Sequence, residues 1–500
     1  LSLASYVKRH HISRAALSIG VVVAALLFFA VGAILRLLMG PVSLGPLRGP
    51  IADAIRQALP GITLQYDQAA IEWNRDESRI NLVVLGARMF DSGGRIVAQA
   101  PKADIDLAAR PFLSGRFVVQ RITLVGVQLA LVRMQNGALR LGVEADKGGD
   151  DIIQKLSDII NKGGGASSLQ SFAVRDARLA IFDEPTGIFL VAPRAALNMK
   201  AQGDAISAAF DADVEISGRK SHLTADVTLP PKDGPPSGTL TITGLDLRAL
   251  GANAPKFASL KDLPVIAGLS SSFAFAPGGK LARADFDATA EGDVPFALFK
   301  GKVLHVDLLK LSGRFDGSAH HLTVTSADLD AREAKVQFKG GATLTYGDDG
   351  ALAMVSGDLA ASGLIINAPE IFGHPARFST LELGGSYAMA AHKLDVTKLA
   401  LTAPALALEA AGAVTFDPVK SPGLTMQGSI AALPVRTLLD YWPVFAATGA
   451  RAWIDANIFA GTMGPAQFET DFAPGVADLP VLPTNALKLT FAMKGVEANY

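Results

Sequence analysis

Between Ala209 and Leu229 apolar and polar positions alternate with a period of two. Phe210, Ala212, Val214 and Ile216 interleave with Asp211, Asp213 and Glu215; beyond a turn at Ser217 to Ser221, Leu223, Ala225, Val227 and Leu229 interleave with Thr224, Asp226 and Thr228. Such alternation predicts a hairpin with one wet face and one apolar face. The pattern returns at "LARADFDATA", "AHHLTVTSADLDA", "AKVQFKGGATLTY" and "LALEAAGAVTF", with turn residues between runs at Pro277-Gly278-Gly279 and Gly347-Asp348-Asp349-Gly350. Helical spacing is confined to short stretches. "IADAIRQALPG" puts Ile51, Ala54, Ile55, Ala58 and Leu59 on one face, and "DDIIQKLSDIINKGGG" does the same with Ile152, Ile153, Leu156, Ile159 and Ile160. With few segments suited to crossover helices, successive strands are expected to be antiparallel neighbours in a meander.

One segment stands apart. Residues 15–35 carry no charge, long enough as a helix to cross a hydrocarbon core of about 30 Å. Lys8, Arg9 and Arg14 precede it, and no acidic residue comes before Asp53. The positive-inside rule then keeps residues 1–14 cytoplasmic, makes 15–38 a membrane anchor and exports the rest. A cleaved signal peptide is the competing reading, but its apolar region is shorter and ends at a small-residue site.

Composition narrows the function. The 500 residues are 49% hydrophobic and 19% charged with a formal net charge of −1, so nothing in the charge favours a nucleic acid partner. The absence of cysteine removes disulfides, Cys-ligated zinc and thiol catalysis. No phosphate-binding loop is present, since Gly279-Lys280 and Gly301-Lys302 are followed by Leu281 and Val303. In "GLSSS", Ser272 occupies the last glycine position of a nucleophile elbow. His320-His321 and the acidic row Asp211, Asp213, Glu215 read as surface groups rather than metal ligands. The expectation is no enzyme, no catalytic residue, no metal and no cofactor.

Some 350 residues of strand with one apolar face must hide that face, either in a series of closed sandwiches or along one groove. Aromatic residues are only 7%, and the apolar positions are mostly Ala, Val and Leu without abrupt linkers. That favours a mainly β fold: one N-terminal transmembrane helix followed by an elongated, curved antiparallel sheet with a few short helices. With 25 to 30 strands it would run on the order of 120 to 140 Å. Phe210, Val214, Ile216, Leu223, Val227 and Leu229 are candidate walls of the groove. Faint repetition, with Ser-Gly-Arg after Leu113, Ile216 and Leu311 and His-Leu-Thr at His222 and His321, fits recurrent turn sequence as well as degenerate structural repeats.

Two segments resemble a known family. From Leu64 to Gly142, Trp73, Arg88, the Asp91 to Gly94 turn, Arg133 and Gly137 follow the order seen at the start of the exported part of AsmA-like proteins, especially the YhdP branch. From Leu433 to Ala466, Tyr441-Trp442-Pro443, Arg451, Trp453, Asn457 and Gly461 are similar to an internal segment of that family. In this second segment Val435, Leu438, Leu439 and Trp442 share one helical face, and a following helix runs toward Gly461, a pair suited either to covering a groove opening or to capping a core edge, of which the second is the expectation.

The resemblance implies a single-pass inner-membrane protein of Gram-negative bacteria with a periplasmic β groove, related in architecture to chorein-type bridge proteins. It implies phospholipid acyl chains as ligand, movement of phospholipid toward the outer membrane and support of that membrane's barrier. The related TamB branch supplies the alternative, a structural or assembly factor that templates strands of other proteins. The organisation expected is a cytoplasmic N-terminus (1–14), the anchor (15–38), a first groove module (48–145), an amphipathic helix (150–163), groove repeats (166–430), and a helical insertion with the start of a further groove segment (433–500). The chain opens on Leu1 and breaks off inside an apparent strand, so it reads as the front part of a longer protein, whose missing C-terminal part would meet outer-membrane components.

Overall fold

The structure, a computed structural model, describes residues 42–43, 53, 63–74, 79–90, 94, 96–108, 118–135, 139–141, 169–230, 234–277, 280–295, 303–348, 350–444, 448–479 and 482–499. The anchor expected at 15–38 and the helix expected at 150–163 lie outside the described residues, as does all but Asp53 of the helix expected at 51–61. Among the described residues no helix is long and apolar enough to cross a membrane.

The protein is mainly β. It divides into two compact units: Leu1–Pro185 with Val191–Ala212, and Thr186–Leu190 with Asp213–Tyr500.

The first unit contains β1 (Val42–Ser43), β2 (Thr63–Gln65), β3 (Gln68–Asn74), β4 (Arg79–Phe90), β5 (Ile96–Leu107), β6 (Val119–Val125), β7 (Gln128–Arg133), β8 (Leu139–Leu141) and β9 (Ser171–Asp183). Strands β10 (Ile188–Gln202) and β11 (Ala205–Ile216) cross the unit boundary. Strands β3 to β6 form an antiparallel run. The meander expected throughout is broken here, because β9 lies parallel to β6 and then parallel to β7. A parallel pair needs a long crossover rather than a tight turn, and residues 142–170 separate β8 from β9. Both strands change course at the same level, at Gly126 (φ 72°) and Asp176 (φ 52°), and the ladder is kept across the break by Gly126 N donating to Arg175 O and Arg178 N to Val127 O.

Asn81, Leu82, Val83 and Val84 are all buried, as are Ser171, Phe172, Ala173 and Val174, so both faces of this sheet are covered there. A polar line crosses four strands here: the buried Asn81, Asp106 and Ser171 and the half-buried Arg121 stand in register, with Arg121 3.5 Å from Asp106 and 3.0 Å from the Ser171 hydroxyl.

The second unit is the expected meander. Its strands are β12 (Arg219–Leu229), β13 (Ser237–Asp246), β14 (Val265–Phe275), β15 (Leu281–Pro295), β16 (Val303–Asp316), β17 (His321–Ala331), β18 (Ala334–Tyr346), β19 (Leu352–Ile366), β20 (Ala376–Ala388), β21 (Lys393–Ala403), β22 (Leu406–Thr415), β23 (Gly423–Ile430), β24 (Leu433–Pro434), β25 (Ile458–Phe472) and β26 (Leu487–Ala498). From β12 onward each strand pairs antiparallel with the next, except that β25 takes both β23 and the short β24 on one side. Four helices are inserted: α1 (Leu247–Asn253) after β13, α2 (Pro369–Phe372) after β19, and α3 (Val435–Tyr441) with α4 (Thr448–Asn457) before β25. Because neighbouring strands alternate in direction, all of these insertions sit on the same rim of the sheet. Their ends follow local chemistry: Asp246 caps α1 by accepting from Ala249 N at 3.1 Å, and α2 starts on Pro369 and stops at left-handed Gly373.

Candidate functional site

A ladder of paired residues traces one apolar line across the second unit. Leu223, Ile242, Leu269, Ala288, Leu311, Ala327, Phe338, Ala361, Leu381, Leu401, Leu408, Ile430, Ala466 and Phe491 are successive partners from β12 to β26. All fourteen are apolar. At about 4.8 Å per strand the line runs on the order of 60 Å. The line one residue away, on the other face, is polar: Thr289, Lys310, Asp328, Gln337, Ser362, Thr380 and Thr402 are likewise successive partners.

Most of the apolar line is not sealed. Neither β15 nor β18 contains a buried residue; their apolar side chains, Ala288 and Phe338 among them, are half-exposed while alternate positions are mostly exposed. On the same line β17 and β19 bury only the small Ala327 and Ala361, whereas β4 and β9 in the first unit bury large side chains such as Leu82, Val84 and Phe172. Among the described residues, the large apolar side chains of this line between α1 and α2 are therefore half-exposed on a single layer.

Glycines shape that layer. Gly357 and Gly385 are direct partners, and Val396 links Gly385 to Gly412 along the same line. A Cβ at Gly357 would run into the carbonyl oxygen of Gly341, one at Gly385 into that of Asp395, and one at Gly412 into that of Thr425. Neighbouring backbones close up there further than any side chain permits, the device by which a sheet bends. On the adjacent line the Phe286 ring fills the space above Gly313 and the Phe468 ring that above Gly428, each ring carbon about 2.7 Å or less from where a Cβ would stand. Sequence reading passed over these positions, although single glycines within alternating runs, such as Gly357 and Gly412, signal close backbone approach.

Toward β25 the apolar face acquires a cover. Val435, Leu438 and Leu439 of α3, Ile454 of α4 and Ile371 and Phe372 of α2 form a closed core with Phe378, Leu406, Ile458, Met463 and Ala466 of the sheet. Two arginines clamp the helices. Arg451 donates to the carbonyls of Leu439 at 3.2 Å and Trp442 at 3.3 Å, at the C-terminal end of α3. Arg436 reciprocates with the Asp455 carbonyl and carboxylate, both at 2.9 Å. Trp442 packs against this core, Pro443 follows the end of α3, and Trp453 stands 52% exposed on the outside of α4. The helix pair thus caps a core edge.

The remaining sequence-selected positions resolve as follows. Among the groove-wall candidates, Val214 and Ile216 are buried, whereas Phe210, Leu223, Val227 and Leu229 are half-buried. Their hairpin turns on two residues, Ser217 and Gly218, both with positive φ, which is tighter than the five-residue turn expected. Trp73 pairs through its backbone with Ile80. Arg88 is tied to Asp67 at 2.7 Å. Arg133 makes a two-pronged contact with Asp183 across the parallel pair, one prong at 3.1 Å. Gly461 (φ 115°) lies against Val496, where a Cβ would come within 2.7 Å of its backbone. These positions pin strands together.

Among the described residues no three His, Cys, Asp or Glu side chains are grouped to hold a metal. His320 lies in the turn against the edge of Tyr346, and His321, opening β17, contacts the Thr343 hydroxyl at 3.0 Å, so the two are not alternating residues of one strand. Asp213 meets His222 at 2.9 Å. Polar-face carboxylates are paired: hydrogen bonds from Arg314 and Arg283 hold Asp285 below the usual carboxylate range, and that from Lys398 does the same for Glu382. Two open hollows of about 570 and 560 Å³ lie on this polar face, one beside Lys398, Glu409, Gln467 and Lys488 and the other beside Asp285, Asp287 and Arg314.

No family model, no curated protein and no solved structure matches this chain.

Proposed function

We propose that the second unit binds lipid acyl chains along its apolar line, and that the protein is a conduit for phospholipid between membranes, held at the inner membrane by residues 15–38 and belonging with the AsmA-like proteins of the YhdP branch. The observation that carries this reading is the fourteen-strand apolar line whose central part has no second layer over it. An apolar surface of that extent in water calls for a partner. Each methylene laid on it contributes roughly 0.8 kcal/mol, and the repetition of similar Leu, Ala and Phe positions from strand to strand offers a sliding chain sites of similar depth. Polar head groups remain at the rim, in water. The chain itself performs no bond chemistry in this reading, and direction must come from outside the sheet.

The test exploits two sequence neighbours on opposite faces, Lys310 and Leu311. The full chain is extracted into polymer-bounded lipid discs, released, and its bound lipid identified by native mass spectrometry. Phospholipid is expected on the wild-type protein and on Lys310→Glu, with at least a tenfold loss on Leu311→Glu. Lipid-free wild-type protein, or equal occupancy in the two variants, would refute the proposal.

A further inference from the structure

The helices of the second unit do not merely end the apolar face; they divide it lengthwise. Along β21, β22 and β25 the boundary falls between residues two apart on one face, and it steps at β22, where Leu408 stands level with its partners Leu401 and Ile430 of the covered core. Leu401, Leu406 and Ala466 belong to the core closed by α2, α3 and α4, whereas Leu399, Leu408 and Phe468 belong to a neighbouring cluster around Val396, Ala410 and Met426. Every member of that second cluster comes from the sheet; Val396, Ala410 and Met426 are buried among their sheet neighbours, while Leu399, Leu408 and Phe468 are half-exposed. Two residues of strand span about 6.6 Å, so the change from covered to open occurs within roughly the width of one side chain.

We infer that α2, α3 and α4 form a side wall, so that acyl chains pass alongside the helices over Leu399, Leu408 and Phe468 and are excluded from the positions two residues nearer the rim. This rests on the acyl-chain reading above and adds where the track narrows. Between α1 and α2 the full strand width is open; beside the wall only the half farther from the helix rim remains. The wall is held by contacts outside the track, above all Arg451 on the carbonyls of Leu439 and Trp442. Its position, set by α3 and α4, is the specificity-determining feature: a lipid that fills the wider stretch must rearrange its chains to continue past the wall.

The chain contains no cysteine, so single cysteines report cleanly. Leu311→Cys in the open stretch, Leu408→Cys beside the wall, Leu406→Cys under it and Lys310→Cys on the polar face are each made in the full chain. Each is exposed to phospholipid vesicles carrying a dodecyl-maleimide, and labelling rates are compared after circular dichroism shows retained strand content. The expected result is rapid labelling at 311 and 408 and at least tenfold slower labelling at 406. Adding Arg451→Ala, which loosens the wall without touching the track, should bring 406 to within about threefold of 408. Equal rates at 406 and 408 in the parent background, or a slow 408 beside a rapid 311, would overturn the wall while leaving the acyl-chain reading intact. Labelling at 311 no faster than at the polar-face control 310 would overturn that reading as well.

Discussion

Leucine-to-alanine truncation at Leu311 and Leu438 separates an open apolar face from a closed one. Leu438 is 6% exposed in the core between α3 and the sheet, and emptying such a site removes both transfer energy and packing, about 3 kcal/mol. Leu311 is half-exposed on a single layer. Solvent reaches the gap, no cavity forms, and only about half the transfer energy of the lost carbons is forfeited, about 1 kcal/mol. On protein stripped of lipid, urea unfolding followed by the strand signal in circular dichroism reads both. With a slope near 3 kcal/mol/M, the midpoint should fall by about 1 M for Leu438→Ala and about 0.3 M for Leu311→Ala. A fall for Leu311→Ala as large as that for Leu438→Ala would mean that a second layer covers the line, and the inference of an open face would be wrong.

Two further outcomes are expected. Gly385→Ala should cost about 3 kcal/mol, because its Cβ meets the Asp395 carbonyl and the strands must part, whereas Gly350→Ala, in open space but at φ 74°, should cost about 1 kcal/mol; urea midpoints distinguish them, and equal losses would remove the close strand approach. The second concerns Glu333: burial pushes its carboxyl up, but hydrogen bonds from the His305 backbone N–H and ring, both at 2.7 Å, outweigh this and hold it below its ordinary 4.5. A lowered folded value means stability that is present above 4.5 and is lost as pH falls through the folded value, so the urea midpoint should drop as pH falls below 4.5, and Glu333→Gln should flatten that drop. An unchanged pH profile in Glu333→Gln would show that the pair adds no stability.

Alternation along the chain was enough to determine that β11, β12, β15, β17, β18 and β22 are strands with one apolar and one polar face, since the side-chain period of a strand is fixed by its backbone. The helix pair was legible for a similar local reason: Val435, Leu438 and Leu439 share a helical face, and Pro443 lies just beyond the end of α3. Register was not legible. Slipping any strand by one residue would place Leu311 or Leu381 on the polar face, and only the paired ladder shows that fourteen apolar residues line up. The parallel seat of β9 on β6 and β7 depends on contacts some fifty residues apart, which local pattern does not encode. The arginines picked out in the sequence gave no sign of their partners; the fold supplied Asp67, Asp183 and two helix-end carbonyls, making them braces. Covering, above all, belonged to the tertiary structure. The sequence presents Leu406 and Leu408 as equivalent, and they differ only because α3 and α4, inserted some thirty residues later, settle over one and leave the other open.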